Sequence, residues 1–424
     1  MLKIIKIEDD ITHKKLVILG IIKFSIKLKS SYLYKRTKQN YEDVIKKLRK
    51  EVNKRPLRVI FLVTEKQKWG YQSLYEKLKE DNSFEPIVVA SCVTFKHENP
   101  ELERCSVEDN IEFFKSLGIE AKSAYVNNEY VDLKEFSPDI IFYQQPWGIP
   151  EIHLPHRMSK YALCCYCSYS IATSMTGSMC IPLFFYCMWK YFLAHDCMKE
   201  EYETWMEYNT ESLQVTGHPK LEVYKSYSES SFKQDKHYVI YAPHFSVGDS
   251  ILRFATFDWS GQFMLDWAKA HPEFNWVFKP HPQLKSSFVE KEYMTEEEVN
   301  AYFNEWSKIG TVYENGDYFG IFKDSDAMIT DCGSFCVEYF FTGKPLLHLI
   351  ADNSAPHSLL NRLVNANHYS VYSKETLEKY LEEILIKKND FLKDVRKKAL
   401  YNIFPEQQNS ATNIVNYLKK ELGI

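Results

Sequence analysis

Apolar segments in the second half of the chain end abruptly in residues whose side chains could bind phosphate. Val239–Ala242 is followed by a proline and His244, and Trp276–Phe278 is followed by Lys279, a proline and His281. Proline cannot continue the hydrogen-bond ladder of a central strand, so both histidines are expected in loops at strand ends. In open α/β sheets, ligands bind at this carboxyl edge. The pattern therefore predicts that both loops belong to one anion-binding site.

A third apolar segment, Ala327–Thr330, leads directly into a turn and a helix. Asp331, Gly333 and Ser334 form the turn, and Glu338 lies about one helical turn further on. A helix that starts after small residues presents free backbone N–H groups and the positive end of its dipole, and phosphate groups bind there. Glu338 would then reach the hydroxyls of an attached ribose. The alternative is an ordinary strand-to-helix turn, and spacing alone leaves both interpretations open.

The order of four short segments gives a family resemblance. In chain order they are Val215–Lys220, Tyr241–His244, Lys279–Pro282 and Thr330–Pro345. The set resembles the C-terminal half of the CDP-glycerol glycerophosphotransferase family, whose members make teichoic acids and related capsular or lipopolysaccharide polymers. The resemblance spans about residues 213–350. It implies an α/β protein of GT-B fold, with two Rossmann-like domains facing across a cleft and the nucleotide donor on the C-terminal domain.

The resemblance also implies roles for individual residues. His281 is expected to contact the donor phosphates, with His244 and Asp331 as further catalytic residues. The residues expected to bind the donor are Lys279, His281, Gly217, His218, Asp331, Gly333, Ser334 and Glu338. These fixed groups would stabilise the charge on the departing nucleotide phosphate, so neither a metal nor a cofactor is expected.

Three departures from the family pattern bear on the chemistry. Family members that polymerise glycerol phosphate carry a His-Gly pair in the N-terminal half, whose histidine is taken as the base. The corresponding segment, near Tyr166–Ser170, has no histidine. His244-Phe245 stands where the family usually has Trp-Arg, and Gly333-Ser334 where the polymerases tend to have two serines. The general base stays open among four candidates, which are His153, His156, His195 and Asp196.

Length and composition fit a two-domain protein. At 424 residues the chain is too long for one ordinary core, and 45% hydrophobic residues suffice for well-buried sheets. Alternating strand and helix patterns predict one parallel-sheet domain over residues 56–212 and another over residues 213–405. A final helix is expected in residues 406–424, and residues 1–55 form a basic N-terminal extension.

The charge of this extension suggests a contact with a surface. Residues 1–55 hold sixteen Lys/Arg and six Asp/Glu, a balance of +10, while the whole chain carries −4. Ile22–Lys29 alternates apolar and basic residues, and Tyr41–Leu48 has the spacing of an amphipathic helix. One interpretation is a contact with anionic lipid on the inner membrane face, worth about 1 kcal/mol per basic residue. The other is a solvated helix that covers the first domain. Because the basic residues are concentrated in this one segment, a nucleic-acid partner is not expected.

Two further patterns could indicate a membrane-spanning segment or a metal site. The stretch between Lys160 and Lys190 has no charged residue and could span a bilayer, but it holds many hydroxyl groups. A buried strand and cleft-lining loops are expected there instead. Cys164 and Cys167 have the spacing of one half of a zinc site, without a matching second pair. A zinc site is therefore not expected. The thiols are expected to be reduced, as is usual in the cytoplasm.

The resemblance thus implies a cytoplasmic transferase of bacterial cell-surface polysaccharide synthesis, with a peripheral contact to the inner face of the cytoplasmic membrane left open. It would move glycerol phosphate or another alditol phosphate from a CDP-linked donor to a glycan or lipid-linked acceptor. Two alternatives stay open. One is a GT-B glycosyltransferase that uses a nucleotide sugar, and the other is an inactive nucleotide-binding or scaffold paralogue.

Overall fold

The computed structural model divides the chain into two compact units. It describes residues 5–10, 13–18, 22–27, 30–94, 100–171, 182–223, 238–248, 250, 252–314, 318–404 and 409–424. Of these, the first unit holds the residues up to 169, residues 182–220 and residues 409–424. The second unit holds residues 170–171 and the described residues from 221 to 404.

Residues 5–51 form a small antiparallel sheet and a long helix. The strands, in their order in the sheet, are β1 (Ile5–Asp10), β2 (His13–Ile18) and β3 (Ile22–Lys27). Helix α1 (Ser30–Glu51) buries Tyr41, Val44 and Leu48, which lie on one stripe because they are three and four residues apart. Lys47 and its basic neighbours on the opposite face are exposed. The sequence predicted this helix and the last of the three strands.

Seven parallel strands form the sheet of the first unit. The strands from β4 to β12 are β4 (Leu57–Val63), β5 (Phe84–Ala90), β6 (Ala121–Ser123), β7 (Tyr125–Val126), β8 (Glu129–Tyr130), β9 (Ile140–Tyr143), β10 (Leu163–Cys167), β11 (Lys190–Leu193) and β12 (Leu213–Val215). β7 and β8 pair with each other, and the other seven lie in the order β12-β11-β10-β9-β4-β5-β6. β10 is a fully buried strand within the uncharged stretch, as predicted. Residues 172–181 of that stretch lie outside the described residues.

Six parallel strands form the sheet of the second unit. They are β13 (Tyr238–Ala242), β14 (Asn275–Phe278), β15 (Gly310–Val312), β16 (Ala327–Thr330), β17 (Leu346–Leu349) and β18 (Tyr369–Val371). Their order is β15-β14-β13-β16-β17-β18. The central β13 and β16 are buried along their whole length, as expected for parallel strands covered by helices on both faces.

Helices connect the parallel strands in both units. After α1 they are α2 (Gln72–Glu80), α3 (Pro100–Ser116), α4 (Pro155–Met158), α5 (Pro182–Tyr186), α6 (Asp196–Glu203), α7 (Phe257–Ala270), α8 (Leu284–Glu290), α9 (Glu296–Ile309), α10 (Phe319–Asp324), α11 (Gly333–Phe340), α12 (Leu359–Asn365), α13 (Lys374–Leu381), α14 (Lys393–Ile403) and α15 (Ser410–Leu422). No helix in the described ranges has both the length and the apolar character needed to cross a membrane.

Both sheets have the strand order of a doubly wound α/β fold. Numbered within its own sheet, each unit runs 3-2-1-4-5-6, and β12 adds a seventh strand to the outer edge of the first. The first and fourth strands are neighbours in this order. The switch point, where successive connections leave in opposite directions, therefore lies between β4 and β9 in the first unit and between β13 and β16 in the second. The predicted α/β class with two Rossmann-like domains is confirmed.

Two elements move the expected domain boundaries. β12 pairs with β11 in the first sheet, and the first unit extends to Lys220, although the sequence assigned everything from residue 213 to the second domain. A three-residue strand has too little pattern to show which sheet it joins. The last helix, α15, packs on α2 and belongs to the first unit, because the stripe with Ile414, Leu418 and Leu422 is buried there.

At the switch point of the first sheet, the Gln144 side chain holds the loop after β4 by hydrogen bonds. Gln144 follows β9 directly, and its Oε1 accepts hydrogen bonds of 3.1 Å from the N–H groups of Thr64 and Glu65, which follow β4. Its Nε2 donates to the Glu65 carbonyl at 2.9 Å. Backbone N–H groups that leave a sheet in the interior need an acceptor. Gln144 supplies it and fixes the loop after β4.

Replacing Gln144 by Met is expected to lower the free energy of unfolding of the first unit by about 2 to 4 kcal/mol, because two backbone donors and one acceptor lose their partner. Urea unfolding followed by far-UV circular dichroism measures the change. Gln39→Met makes the same substitution at an exposed position of α1 and serves as the control. Equal unfolding midpoints for the two variants would contradict the role assigned to Gln144.

Candidate functional site

The carboxyl ends of three neighbouring strands of the second sheet carry the predicted residues. β13 is central, between β14 and β16. The Lys279 N–H donates to the Tyr241 carbonyl at 2.8 Å. The His281 N–H donates to the Pro243 carbonyl at 3.1 Å, and the His281 ring lies 5.1 Å from the ring of His244. The structure thus brings both strand-end histidines together at the switch point, where ligands bind in folds of this type.

Asp331 ties two of these loops together. It follows β16 directly and is 1% exposed. Its Oδ1 accepts from the His244 N–H at 2.6 Å, and its Oδ2 accepts from the N–H and the hydroxyl of Thr256 at 2.7 and 3.0 Å. Burial raises the pKa of Asp331 to about 7, although these hydrogen bonds oppose the shift. Both carboxylate oxygens are thus engaged by the protein itself, and Asp331 positions the loop that carries His244.

The two histidines are held in one tautomer by their own loops. His244 Nδ1 accepts from the Ser246 N–H at 3.3 Å and lies 2.8 Å from the Ser246 hydroxyl. His281 Nδ1 accepts from the Gln283 N–H at 3.1 Å. A ring nitrogen that accepts carries no proton, so the neutral ring has its proton on Nε2. Burial lowers the pKa of His244 to about 3. His244 is therefore a neutral hydrogen-bond donor at physiological pH.

Lys279 directly follows β14, and its ammonium group lies among aromatic rings. The side chain is 5% exposed, and its Nζ lies 4.9 Å from the centre of the Tyr318 ring and 5.2 Å from that of Phe335. Aromatic faces attract an ammonium group electrostatically. Glu338, which the sequence placed near a ribose, is 1% exposed, and its Oε2 accepts from the Tyr318 hydroxyl at 2.7 Å. The aromatic ring thus connects the lysine with the glutamate.

The N-terminus of α11 lies directly after Asp331. Cys332 is its N-cap residue and makes no side-chain cap, so the N–H groups of the first turn, at Gly333 and Ser334, have no intrahelical acceptor. The Asn361 amide donates to the Gly333 carbonyl at 2.6 Å and fixes the turn. This helix end therefore combines oriented N–H donors with the positive end of a dipole.

A third imidazole, His357, lies at the same helix end. A Cβ atom added at Gly333 would be 3.5 Å from its Nδ1, which is buried without a hydrogen-bond partner among the described residues. The ring stacks on Phe254 at 5.0 Å, and Phe254 in turn contacts the His244 ring at 5.5 Å. No sequence pattern pointed to His357, because Pro356-His357 lies in a loop beyond β17 and not directly at the end of a strand.

Gly217 and His218 belong to the first unit and are not part of this group. His218 is 2% exposed, its Nε2 donates to the Ser168 carbonyl at 2.6 Å, and its Nδ1 accepts from the Lys220 N–H at 3.2 Å. Burial lowers the pKa of His218 to about 3. Both ring nitrogens thus hold neighbouring backbone in place.

Two of the four candidate bases are buried near the start of α4. His153 Nε2 donates to the Val131 carbonyl at 2.7 Å, and burial lowers the pKa of this histidine. His156 is 1% exposed and lies 3.6 Å from a carboxylate oxygen of Glu151. Burial of this extent gives both histidines the environment of core residues.

The other two candidates begin α6. His195 is the N-cap residue, and its Nδ1 accepts from the Cys197 N–H at 3.1 Å, while Asp196 is exposed in the first turn. This is the hydrogen bond that an N-cap side chain makes at the start of a helix, so it gives His195 a structural role. Among the described residues, no group of three or more His, Cys, Asp and Glu side chains is arranged to hold a metal ion.

Solved structures share this fold, whereas no model of a protein family and no curated protein matches the chain. UDP-GlcNAc 2-epimerase from Neisseria meningitidis, bound to UDP-GlcNAc, is 15% identical over 86% of this chain and 100% of its own, with a TM-score of 0.57. The epimerase from Methanocaldococcus jannaschii is 15% identical over 86% and 99%, with a TM-score of 0.55. A variant of the wall teichoic acid polymerase TagF is 12% identical over 94% and 98%, with a TM-score of 0.60. These similarities confirm the GT-B fold.

Replacing Asp331 by Asn is expected to lower the free energy of unfolding of the second unit by about 2 to 3 kcal/mol. The amide NH₂ would face the N–H of His244 or of Thr256, so one buried donor would lose its acceptor. Urea unfolding at about pH 3.5 measures the effect, because Asp331 is then neutral in the folded protein and largely neutral in the unfolded chain, so the lost acceptor dominates the difference.

Asp352→Asn is the control for this comparison, since Asp352 is exposed in the same unit. The unfolding midpoint of Asp352→Asn should match that of the unsubstituted protein. An Asp331→Asn midpoint equally unchanged would show that the carboxylate does not hold the loop.

Proposed function

We propose that the protein is a nucleotide-dependent transferase of cell-surface polymer synthesis, and that the second unit binds the donor diphosphate at its switch point. One observation carries the proposal. Three strand-end loops bring His244, His281 and Lys279 together beside the uncapped N-terminus of α11. Neutral donors, one ammonium group and oriented N–H groups are what a diphosphate requires.

The favoured reaction transfers glycerol phosphate or another alditol phosphate from a CDP-linked donor to a glycan or lipid-linked acceptor. As the bond to the leaving nucleotide breaks, negative charge grows on its phosphate oxygens. The Nε2–H groups of His244 and His281 and the charge of Lys279 are fixed before the reaction, so they stabilise that charge without rearrangement. The proposal therefore needs only groups of the chain itself.

The comparisons support this proposal at the level of the fold. One neighbour is named as a wall teichoic acid polymerase and covers nearly the whole of this chain. Other neighbours are epimerases, and two of these structures contain bound UDP-GlcNAc. This second observation favours a nucleotide-sugar donor as the other candidate. Contact of residues 1–55 with an anionic membrane face belongs to the same proposal, since the basic face of α1 is exposed.

Isothermal titration calorimetry with CDP-glycerol and UDP-GlcNAc distinguishes the two candidates. We expect CDP-glycerol to bind, and we expect His281→Ala to weaken its binding by at least about tenfold, because a donor to the phosphates is lost. His271→Ala, before β14 at the opposite edge of the same sheet, is the control and should bind normally. Preference for UDP-GlcNAc would favour the second candidate, and binding of neither nucleotide would refute both.

His357 offers a test that the sequence alone could not suggest. We expect His357→Ala to weaken CDP-glycerol binding about tenfold, because its ring lies against Gly333 at the helix end that receives a phosphate. Calorimetry again provides the measurement, and circular dichroism checks that the variant is folded. Unaltered affinity in a folded variant would remove His357 from the donor site.

A further inference from the structure

The first sheet carries a second group of polar and aromatic side chains at its own switch point. Its members, which we name the Lys68 group, are Glu65, Lys68, Gln145, Trp147 and Tyr169. They lie in the loops that follow β4, β9 and β10, which are adjacent strands. The group therefore occupies the same position in the first sheet that the proposed donor site occupies in the second.

Lys68 is the centre of this group. Its Nζ forms an ion pair with Glu65 and a 2.6 Å hydrogen bond with Gln145 Oε1. The same atom lies 4.7 Å from the centre of the Tyr169 ring and 5.6 Å from that of Trp147. The side chains of Lys68 and Glu65 are only 19% and 18% exposed, whereas both rings are partly exposed.

In the Lys68 group the ammonium forms a direct ion pair with a carboxylate, whereas Lys279 is linked to Glu338 through the Tyr318 ring and the second sheet adds the N-terminus of α11. One ammonium and one carboxylate leave no net positive charge for a diphosphate. Paired charges and partly exposed aromatic rings instead suit a neutral hydroxylated chain, whose O–H groups bond to both charges and whose C–H groups contact the rings. A glycan or a polyol has this chemistry.

Side chains outside the group hold its loops in place. His218 donates to the Ser168 carbonyl at 2.6 Å, and Lys220 donates to the Tyr169 carbonyl at 3.1 Å. Gln144 fixes the backbone of Glu65 from the neighbouring loop. A site that must orient a reactive hydroxyl needs such supported loops. The contacts of His218, which the resemblance assigned to the donor, thus support a loop of the first unit.

Three described histidines of the first unit, His153, His195 and His218, are poorly placed to take a proton. The Nδ1 atoms of His195 and His218 accept from backbone N–H groups, so in the neutral rings Nε2 already carries the proton. His153 Nε2 donates to a backbone carbonyl, and its Nδ1 is buried. Asp196 follows β11, three strands away from β4. Glu65 is a carboxylate that lies at the switch point, in the loop after β4.

We propose that the Lys68 group binds the hydroxylated acceptor and that Glu65 takes the proton from its attacking hydroxyl. This inference rests on the proposed transferase function. In the step, the acceptor oxygen forms a bond to the β-phosphorus of the CDP-linked donor. The bond from that phosphorus to the bridging oxygen breaks, and CMP leaves with the electron pair. The hydroxyl proton moves to a Glu65 oxygen and then to water.

The ion pair with Lys68 holds Glu65 in place as a carboxylate. The same ammonium makes the carboxylate a weaker base, so the acceptor hydroxyl must displace part of this contact when it binds. Once Glu65 is protonated, Lys68 keeps its hydrogen bond to Gln145 and its contacts with both rings. The ammonium is therefore not left without partners during the reaction.

The test compares donor binding with acceptor-dependent release of CMP from CDP-glycerol, using glycerol and methyl N-acetylglucosaminide as acceptor probes. Glu65→Gln should lower kcat by about 10²- to 10⁴-fold, the usual contribution of a general base, and leave the affinity for CDP-glycerol unchanged. Glu80→Gln is the matched control, because Glu80 also pairs with a lysine three residues away, at the far end of α2. Its kcat should equal that of the unsubstituted enzyme.

A second variant tests binding separately from proton transfer. Trp147→Ala should raise KM for the acceptor about tenfold with little change in kcat, which a merely structural defect would not reproduce. Undiminished CMP release by Glu65→Gln would overturn the inference, as would donor binding without acceptor-dependent release in the unsubstituted enzyme. Absence of CDP-glycerol binding by the unsubstituted enzyme would instead refute the proposed donor.

Discussion

In both sheets, the side chain that follows the fourth strand accepts hydrogen bonds from the backbone that leaves the first strand. Asp331 binds the His244 N–H in the second sheet, and Gln144 binds the N–H groups of Thr64 and Glu65 in the first. A doubly wound sheet requires something of this kind, because its connections diverge at the switch point and leave buried N–H groups without a strand partner. The side chain that satisfies them also determines where the ligand-facing loop lies.

The two switch points differ in charge although they share this construction. In the second unit, burial keeps His244 neutral, so positive charge comes from Lys279 and from the N-terminus of α11. In the first unit, Lys68 is paired with Glu65. A diphosphate therefore suits the second sheet and a neutral hydroxylated chain the first. This division agrees with a transferase that takes donor and acceptor on separate domains.

Local rules explain which parts of this arrangement the sequence could predict. A proline after an apolar run marks a strand end wherever it occurs, and parallel strands bring their carboxyl ends to one edge. His244 and His281 could therefore be placed together without a structure. His357 and Gln144 could not, because their roles depend on tertiary packing against Gly333 and on the register between β4 and β9. The same limit explains β12, whose three residues were placed in the second domain although they pair with β11 of the first sheet.

Hydrogen–deuterium exchange with and without CDP-glycerol tests the central claim most directly. Binding of the diphosphate at the second switch point should slow exchange in peptides that contain Gly333 and Ser334, and in those that contain Phe245 and Gln283. The amino edge of the same sheet, near His271, should exchange as before. Protection confined to other surfaces, with unchanged exchange at the start of α11, would contradict the account.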